Sequence, residues 1–221
     1  MVNELLFIAQ NLVIAGFSIA CLFLGSGALT AFISLCWVLG NLFVLKQATL
    51  FGMPVVTCDV YIVGANLGIG LMRHYYGQKD TERALWSSTI CSFFFMVMSL
   101  FLLGYTPNNF DTSSMHYAAL LTPVPRLIIA SFIVALTCAY MHVWLYNKLS
   151  AFFNQRYLYV INTTALLISQ LADTILFAFF GMYGLVHSII PVMIMSYTIK
   201  VICILVCTPL TSINYTFARK D

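Results

Sequence analysis

Charge is what this chain lacks. Only 8% of its 221 residues are charged and 62% are hydrophobic, whereas an ordinary soluble domain carries about 25% charged residues. The mean hydropathy is +0.95. This shortage excludes an ordinary soluble domain and leaves a polytopic membrane protein. The net charge of +3 is small and the basic residues are dispersed, so nothing points to nucleic acid as a partner. The sequence patterns of catalysis are missing too: no Walker A, Gly-x-Ser-x-Gly, His-Glu-x-x-His or Gly-x-Gly-Asp run occurs. The expectation is a protein that is not an enzyme, with no catalytic residue and no cofactor. The seven cysteines, Cys21, Cys36, Cys58, Cys91, Cys138, Cys203 and Cys207, form no Cys-x-x-Cys pair. They suit neither zinc nor a disulfide framework, so no metal site is expected and they read as small core residues. Glu4 stands where a cleavable signal has its basic region, so the first apolar run is expected to be retained.

What is present is a series of long apolar runs. A helical span needs about 20 mostly apolar residues. Seven runs qualify, approximately 5–24, 28–45, 51–72, 84–105, 126–146, 158–180 and 189–207. The expected fold is all-α, a single integral membrane domain over residues 1–221. It is a helical bundle of six core transmembrane helices plus an additional N-terminal one. The third run holds Pro54, Asp59, Asn66, Gly64, Gly68 and Gly70. Such a run is broken or re-entrant only where protein or a cavity shields it. Gly64-x-x-x-Gly68 reads as a close helix contact. Arg73, Lys79, Arg83, Lys148, Arg156, Arg219 and Lys220 all fall on one side of a seven-span chain, and only Lys46 and Arg126 on the other. The positive-inside rule then puts the N-terminus out and the C-terminus in. Residues 106–125 form the longest connector, rich in the turn residues Pro107, Asn108, Asn109, Asp111 and Ser113.

Against so apolar a background each ionisable group stands out. Asp173 lies between Leu166-Leu167-Ile168 and Ile175-Leu176-Phe177. A carboxylate at that depth costs roughly 2.5–3.5 kcal/mol on insertion scales and marks a cavity or a substrate path. Gln170 and Ser169 lie on its helical face, and Asn162 is on the same helix. Asp59, Arg126, His142 and Lys200 also lie within spans or at their mouths. The expected orientation brings Arg126, Asp173 and Asp59 to one depth. They form either a structural ion pair between helices or the lining of a cavity open to the outside, and the uncharged polar groups beside Asp173 favour the cavity. Lys200, at mid-membrane, needs a partner or a cavity. His142 reads first as a hydrogen-bonded core histidine. The candidate binding residues are therefore Asp173, Gln170, Arg126, Lys200, Asn162 and Asp59.

Several short motifs carry a family resemblance. Arg126-Leu-Ile-Ile-Ala-Ser131-Phe132, Tyr146-Asn-Lys-Leu149 and Gln170-Leu-Ala-Asp173-Thr174-x-x-Phe177 followed by Phe180-Gly181 resemble signatures of the queuosine precursor transporters. These were earlier grouped as vitamin uptake transporters. Asn41-x4-Lys46, Tyr75-Tyr76-Gly77 and Lys200 with Pro209 resemble further landmarks. The resemblance runs from about residue 25 to 210. It departs at Gly70, His74 and Ala139-x-x-His142, where members often carry carboxylates or a Gln-x-x-Asp pattern. The resemblance implies a multi-pass transporter of the bacterial inner membrane. Its cargo would be a 7-deazaguanine base, either the 7-cyano base, the 7-aminomethyl base or queuine, salvaged for tRNA modification. Asp173 would accept the N1–H and exocyclic amine of such a base, Gln170 and Asn162 would read its other edges, and Arg126 would donate to O6 or hold Asp173. The implied partners are this small molecule and the lipid bilayer. A second copy of the chain, or an ATPase module for which it is the binding subunit, stays open, as does another small planar metabolite as cargo.

Overall fold

The computed structural model describes the backbone of residues 2–153, 158–186 and 188–217, and their side chains except at 158, 159, 162, 203 and 205–217. The helices in chain order are α1 (Val2–Leu24), α2 (Ser26–Leu42), α3 (Asp59–Gly104), α4 (Ser114–Leu121), α5 (Val124–Phe152), α6 (Leu158–Phe177) and α7 (Ile189–Phe217). A short hairpin of β1 (Gln47–Leu50) and β2 (Met53–Val56) precedes α3, and a π-helical turn, Ala178–Met182, extends α6. Four stretches are long and apolar enough to cross a membrane: Val2–Leu24, Asp59–Gly104, Ser114–Phe152 and Thr163–Met182. Ser26–Leu42 and Ile189–Ile202 are shorter apolar helices. By length and composition this is a helical membrane protein.

The third and fourth expected runs form one helix. α3 has 46 residues, which at about 1.5 Å per residue is roughly 69 Å, over twice the ~30 Å hydrocarbon core. Gly77, at φ 84° and ψ −179°, divides it. That backbone region belongs essentially to glycine. The basic segment 73–83, expected as a loop, is helical on both sides of this kink. The Thr81 hydroxyl donates to the Gly77 carbonyl at 2.8 Å and starts the second arm.

The third run also begins differently from the expectation. Residues 47–56 are the hairpin, and helix starts only at Asp59. Leu50 pairs with Met53 across a two-residue turn in which Phe51 (φ 51°) and Gly52 (φ 79°) both have positive φ. Two positive φ angles give the twist that suits a tight hairpin. The ladder meets backbone hydrogen-bonding needs that a broken helix would leave open. Leu50 and Val55 pack against Met195 of α7, with Phe7 of α1 beside them.

Small residues bring the first three helices together. A Cβ on Gly68 would lie 2.7 Å from Ile33 Cγ1, and one on Gly64 would run into Ile14 Cγ2. Only glycine lets the backbones approach this closely, as membrane helices require in the absence of a hydrophobic drive between them. Leu29, Ile33, Met72 and Ala84 fill the α2–α3 core. α1 is peripheral, with few buried residues. The connector 106–125 contains α4, whose start is fixed by Asp111. Its carboxylate accepts the Ser114 hydroxyl and the N–H groups of Ser113 and Ser114. Those bonds hold the Asp111 carboxyl below its usual range.

The Gly77 kink yields a direct test. Gly77→Ala should lose about 1–3 kcal/mol of stability, because alanine is strained at this φ. Gly70→Ala, in helix with nothing within 4 Å of the added Cβ, should be neutral or gain about 0.4–1 kcal/mol. Thermal unfolding of the two purified variants in one detergent compares them. Equal midpoints would remove the kink's requirement for glycine.

Candidate functional site

One end of the bundle gathers the end of α2, β2, the starts of α3, α5 and α7, and the π turn around Val44, Val56, Cys58, Leu127, Met182 and Val192. Just inside lies a cavity of about 100 Å³, well above the ~10–15 Å³ that one water occupies on the same measure. α6 supplies Asp173 and Thr174 to its wall, and α7 supplies Ser196 and Lys200. Asp59 comes from α3, Asn41 from α2 and Ser131 from α5. Trp37 and Phe177 are the aromatic lining residues, and the rest of the wall is mainly aliphatic.

The central contact is an ion pair. Lys200 Nζ lies 2.5 Å from Asp173 Oδ2 and donates to Thr174 Oγ1 at 3.2 Å. Thr174 in turn donates to the Gln170 carbonyl at 2.9 Å. The two charged side chains are 16% and 24% exposed, so the pair is largely desolvated while still open to the cavity. Asp59 is buried, and its Oδ2 accepts the Ser196 hydroxyl at 2.7 Å. Ser131 donates to Asn41 Oδ1 at 3.3 Å, and Asn41 Nδ2 donates to the Trp37 carbonyl at 2.9 Å. Beyond the Asn41–Ser131 bond is a second cavity of about 140 Å³, reaching Ser88, Ser92 and Phe93. Trp37, Asn41, Ser131 and Ala135 line both cavities, so this bond is part of their shared wall.

The structure divides the candidate residues. Asp173, Lys200 and Asp59 share the cavity wall. Arg126 does not pair with Asp173; it is exposed, and its Nε donates to the Phe180 carbonyl in the π turn at 2.9 Å. Gln170 is half-buried one turn before Asp173 and outside the lining, where its carbonyl anchors Thr174. The Asn162 side chain lies outside the described residues. His142 Nδ1 is buried and has no hydrogen-bond partner among the described residues. Trp37, Asn41, Ser131, Thr174 and Ser196 were not singled out as site residues by the sequence reading. Asn41, Ser131 and Thr174 stand in the motifs quoted above, whereas Trp37 and Ser196 offer only a hydrogen-bonding group inside an apolar run, which many structural residues share.

Two further motif residues acquire a physical role. Phe177 lays its ring against Gly181, where an added Cβ would lie 2.7 Å from Phe177 Cε2. With Arg126 on the Phe180 carbonyl, this holds the π turn between α5 and α6. The ion pair gives a prediction for stability. Lys200→Met leaves a half-buried carboxylate without its partner and should cost about 1–3 kcal/mol. Adding Asp173→Asn should recover part of that loss, with a coupling of about 0.5–3 kcal/mol. A double-mutant cycle of unfolding in detergent measures it, and strictly additive losses would contradict the pairing.

Comparison with known proteins adds independent information. The family model described as "Putative vitamin uptake transporter" matches residues 67–214. A curated protein of Bacillus subtilis (strain 168), named "Probable queuosine precursor transporter", is 26% identical over 202 residues, covering 89% of this chain and 85% of that protein. No solved structure matches significantly. The family match spans more than half of the chain, from the first arm of α3 into α7, and includes Arg126, Asp173 and Lys200. This multi-pass membrane protein belongs to the vitamin uptake transporter family, the group its own motifs resemble.

Proposed function

We propose that this chain imports a queuosine precursor, a 7-deazaguanine base, across the bacterial cytoplasmic membrane for tRNA modification. The observation that carries this reading is the Asp173–Lys200 pair, exposed to a cavity inside apolar helices, in a chain whose relative is named for that transport. A guanine-like edge offers two adjacent N–H donors and the O6 acceptor. Asp173 accepts from the donors, and Lys200 donates to O6, the role first considered for Arg126. Asn41, Thr174 and Ser131 supply further hydrogen bonds, and Trp37 or Phe177 stacks on the ring. Buried polar groups of this kind discriminate strongly, because an analogue that leaves them unpaired is rejected. Arg126 acts at a distance by holding the π turn. In the orientation expected from the positive-inside rule, the cavity end of the bundle faces outside.

The test is queuosine in the tRNA of a bacterium that lacks both de novo synthesis and its own transporter. The chain is expressed, and the 7-cyano base, the 7-aminomethyl base or queuine is supplied at low concentration with its salvage enzyme present. The expected result is queuosine restored by at least one base. Asp173→Asn, present in the membrane at normal amount, should restore at most about a tenth as much, on the principle that truncating one partner of a buried charge pair costs tenfold or more. Full restoration by that variant would take Asp173 out of the mechanism.

A further inference from the structure

The charges lining the cavity do not balance. Asp59 comes from α3, Asp173 from α6 and Lys200 from α7, while the lining residues from α2, β2 and α5 carry none. Two carboxylates face one ammonium, a net charge of −1 when all three are ionised. Lys200 is already committed to Asp173 and Thr174. Asp59 is 8% exposed and has no salt-bridge partner among the described residues. Its bond from the Ser196 hydroxyl spreads the charge but does not neutralise it. The nearby cations lie elsewhere: Arg126 is bonded to the Phe180 carbonyl, and Lys46 is exposed and outside the lining. A buried carboxylate in apolar surroundings is relieved either by a proton or by a counter-charge. The cavity beside it is the place from which a ligand supplies one.

We infer that the cargo enters this cavity as a monocation, with Asp59 as the counter-ion to its positive group. The inference rests on the proposed 7-deazaguanine reading and narrows it. The planar edge meets Asp173 and Lys200, and a protonated amine on a short side arm meets Asp59. That favours the 7-aminomethyl class of base over the neutral 7-cyano base. Loading such a cation brings the lining to neutrality, so the occupied cavity carries less electrostatic cost across the apolar interior than the empty one. Ser196 positions Asp59 and needs no change of its own charge.

Direct binding to the purified full chain in lipid nanodiscs tests this, with the 7-aminomethyl, 7-cyano and 7-hydroxymethyl bases as probes. The hydroxymethyl base nearly matches the aminomethyl base in size and lacks its charge, so this comparison needs no variant. The aminomethyl base should bind at least about tenfold more tightly than either neutral base, the scale of a buried charge-assisted contact. In Asp59→Asn that preference should fall to about one, and Asp59→Glu should keep most of it. Neutral bases that bind the natural chain as tightly as the cation would overturn the inference and leave the deazaguanine reading intact. So would binding of the cyano base with uptake of one proton, measured in two buffers of different ionisation enthalpy. Binding of none of the three would overturn both.

Discussion

The ion pair between Lys200 and Asp173 is the constraint on which the site depends. In lipid, apolar side chains gain nothing by leaving one apolar surface for another, so helix register comes from close packing and polar bonds. A chain with 8% charged residues has few such bonds to use. Here one of them fixes α7 against α6, with Thr174 and the Gln170 carbonyl continuing the chain of hydrogen bonds. Tyr197 adds a bond to the Leu167 carbonyl on the same helix pair. Once α6 and α7 are registered, Ser196 reaches Asp59 and brings the start of α3 to the same cavity. The site and the packing of three helices are therefore one problem with one solution.

The family motifs divide into two sets with different physical work. Asn41, Ser131, Asp173, Thr174 and Lys200 line the cavity. Arg126, Phe177, Phe180 and Gly181 shape the π turn that ends α6. Phe177 belongs to both, since its ring rests on Gly181 and also contributes to the cavity wall. Gly77, the last residue of another motif, has a backbone role at the bend of α3.

The sequence made single residues legible and their pairings illegible. Asp173, Asp59 and Lys200 stand out because charge is costly in apolar surroundings, and that signal is local. Arg126 matched Asp173 in charge, and in expected depth better than Lys200, which lies at mid-membrane. The choice between them lies in the tertiary contacts: Arg126 is taken by the Phe180 carbonyl and Lys200 lies against Asp173, and no local pattern announces either. The Gly64/Gly68 contact was readable because small residues four apart have a known use. The hairpin was not readable: Leu50, Phe51, Val55 and Val56 are as apolar as a span, and its turn lacks the usual Asn-Gly signal. The bend at Gly77 lay among charged residues, where a loop was the simpler reading.

The π turn makes the length of the chain, as well as its composition, part of the cavity. Asp173, Phe177 and Met182 all face it, separated first by four residues and then by five. In an unbroken α-helix the second step would turn about 100° further than the first and carry Met182 about 140° round from Phe177, and the one extra residue of the π turn absorbs most of that rotation. The apolar side chains of this wall can be exchanged for others of similar shape, but an insertion or deletion of one residue turns everything that follows. The exposed connector at 105–110 lines no part of the cavity and is free of that constraint.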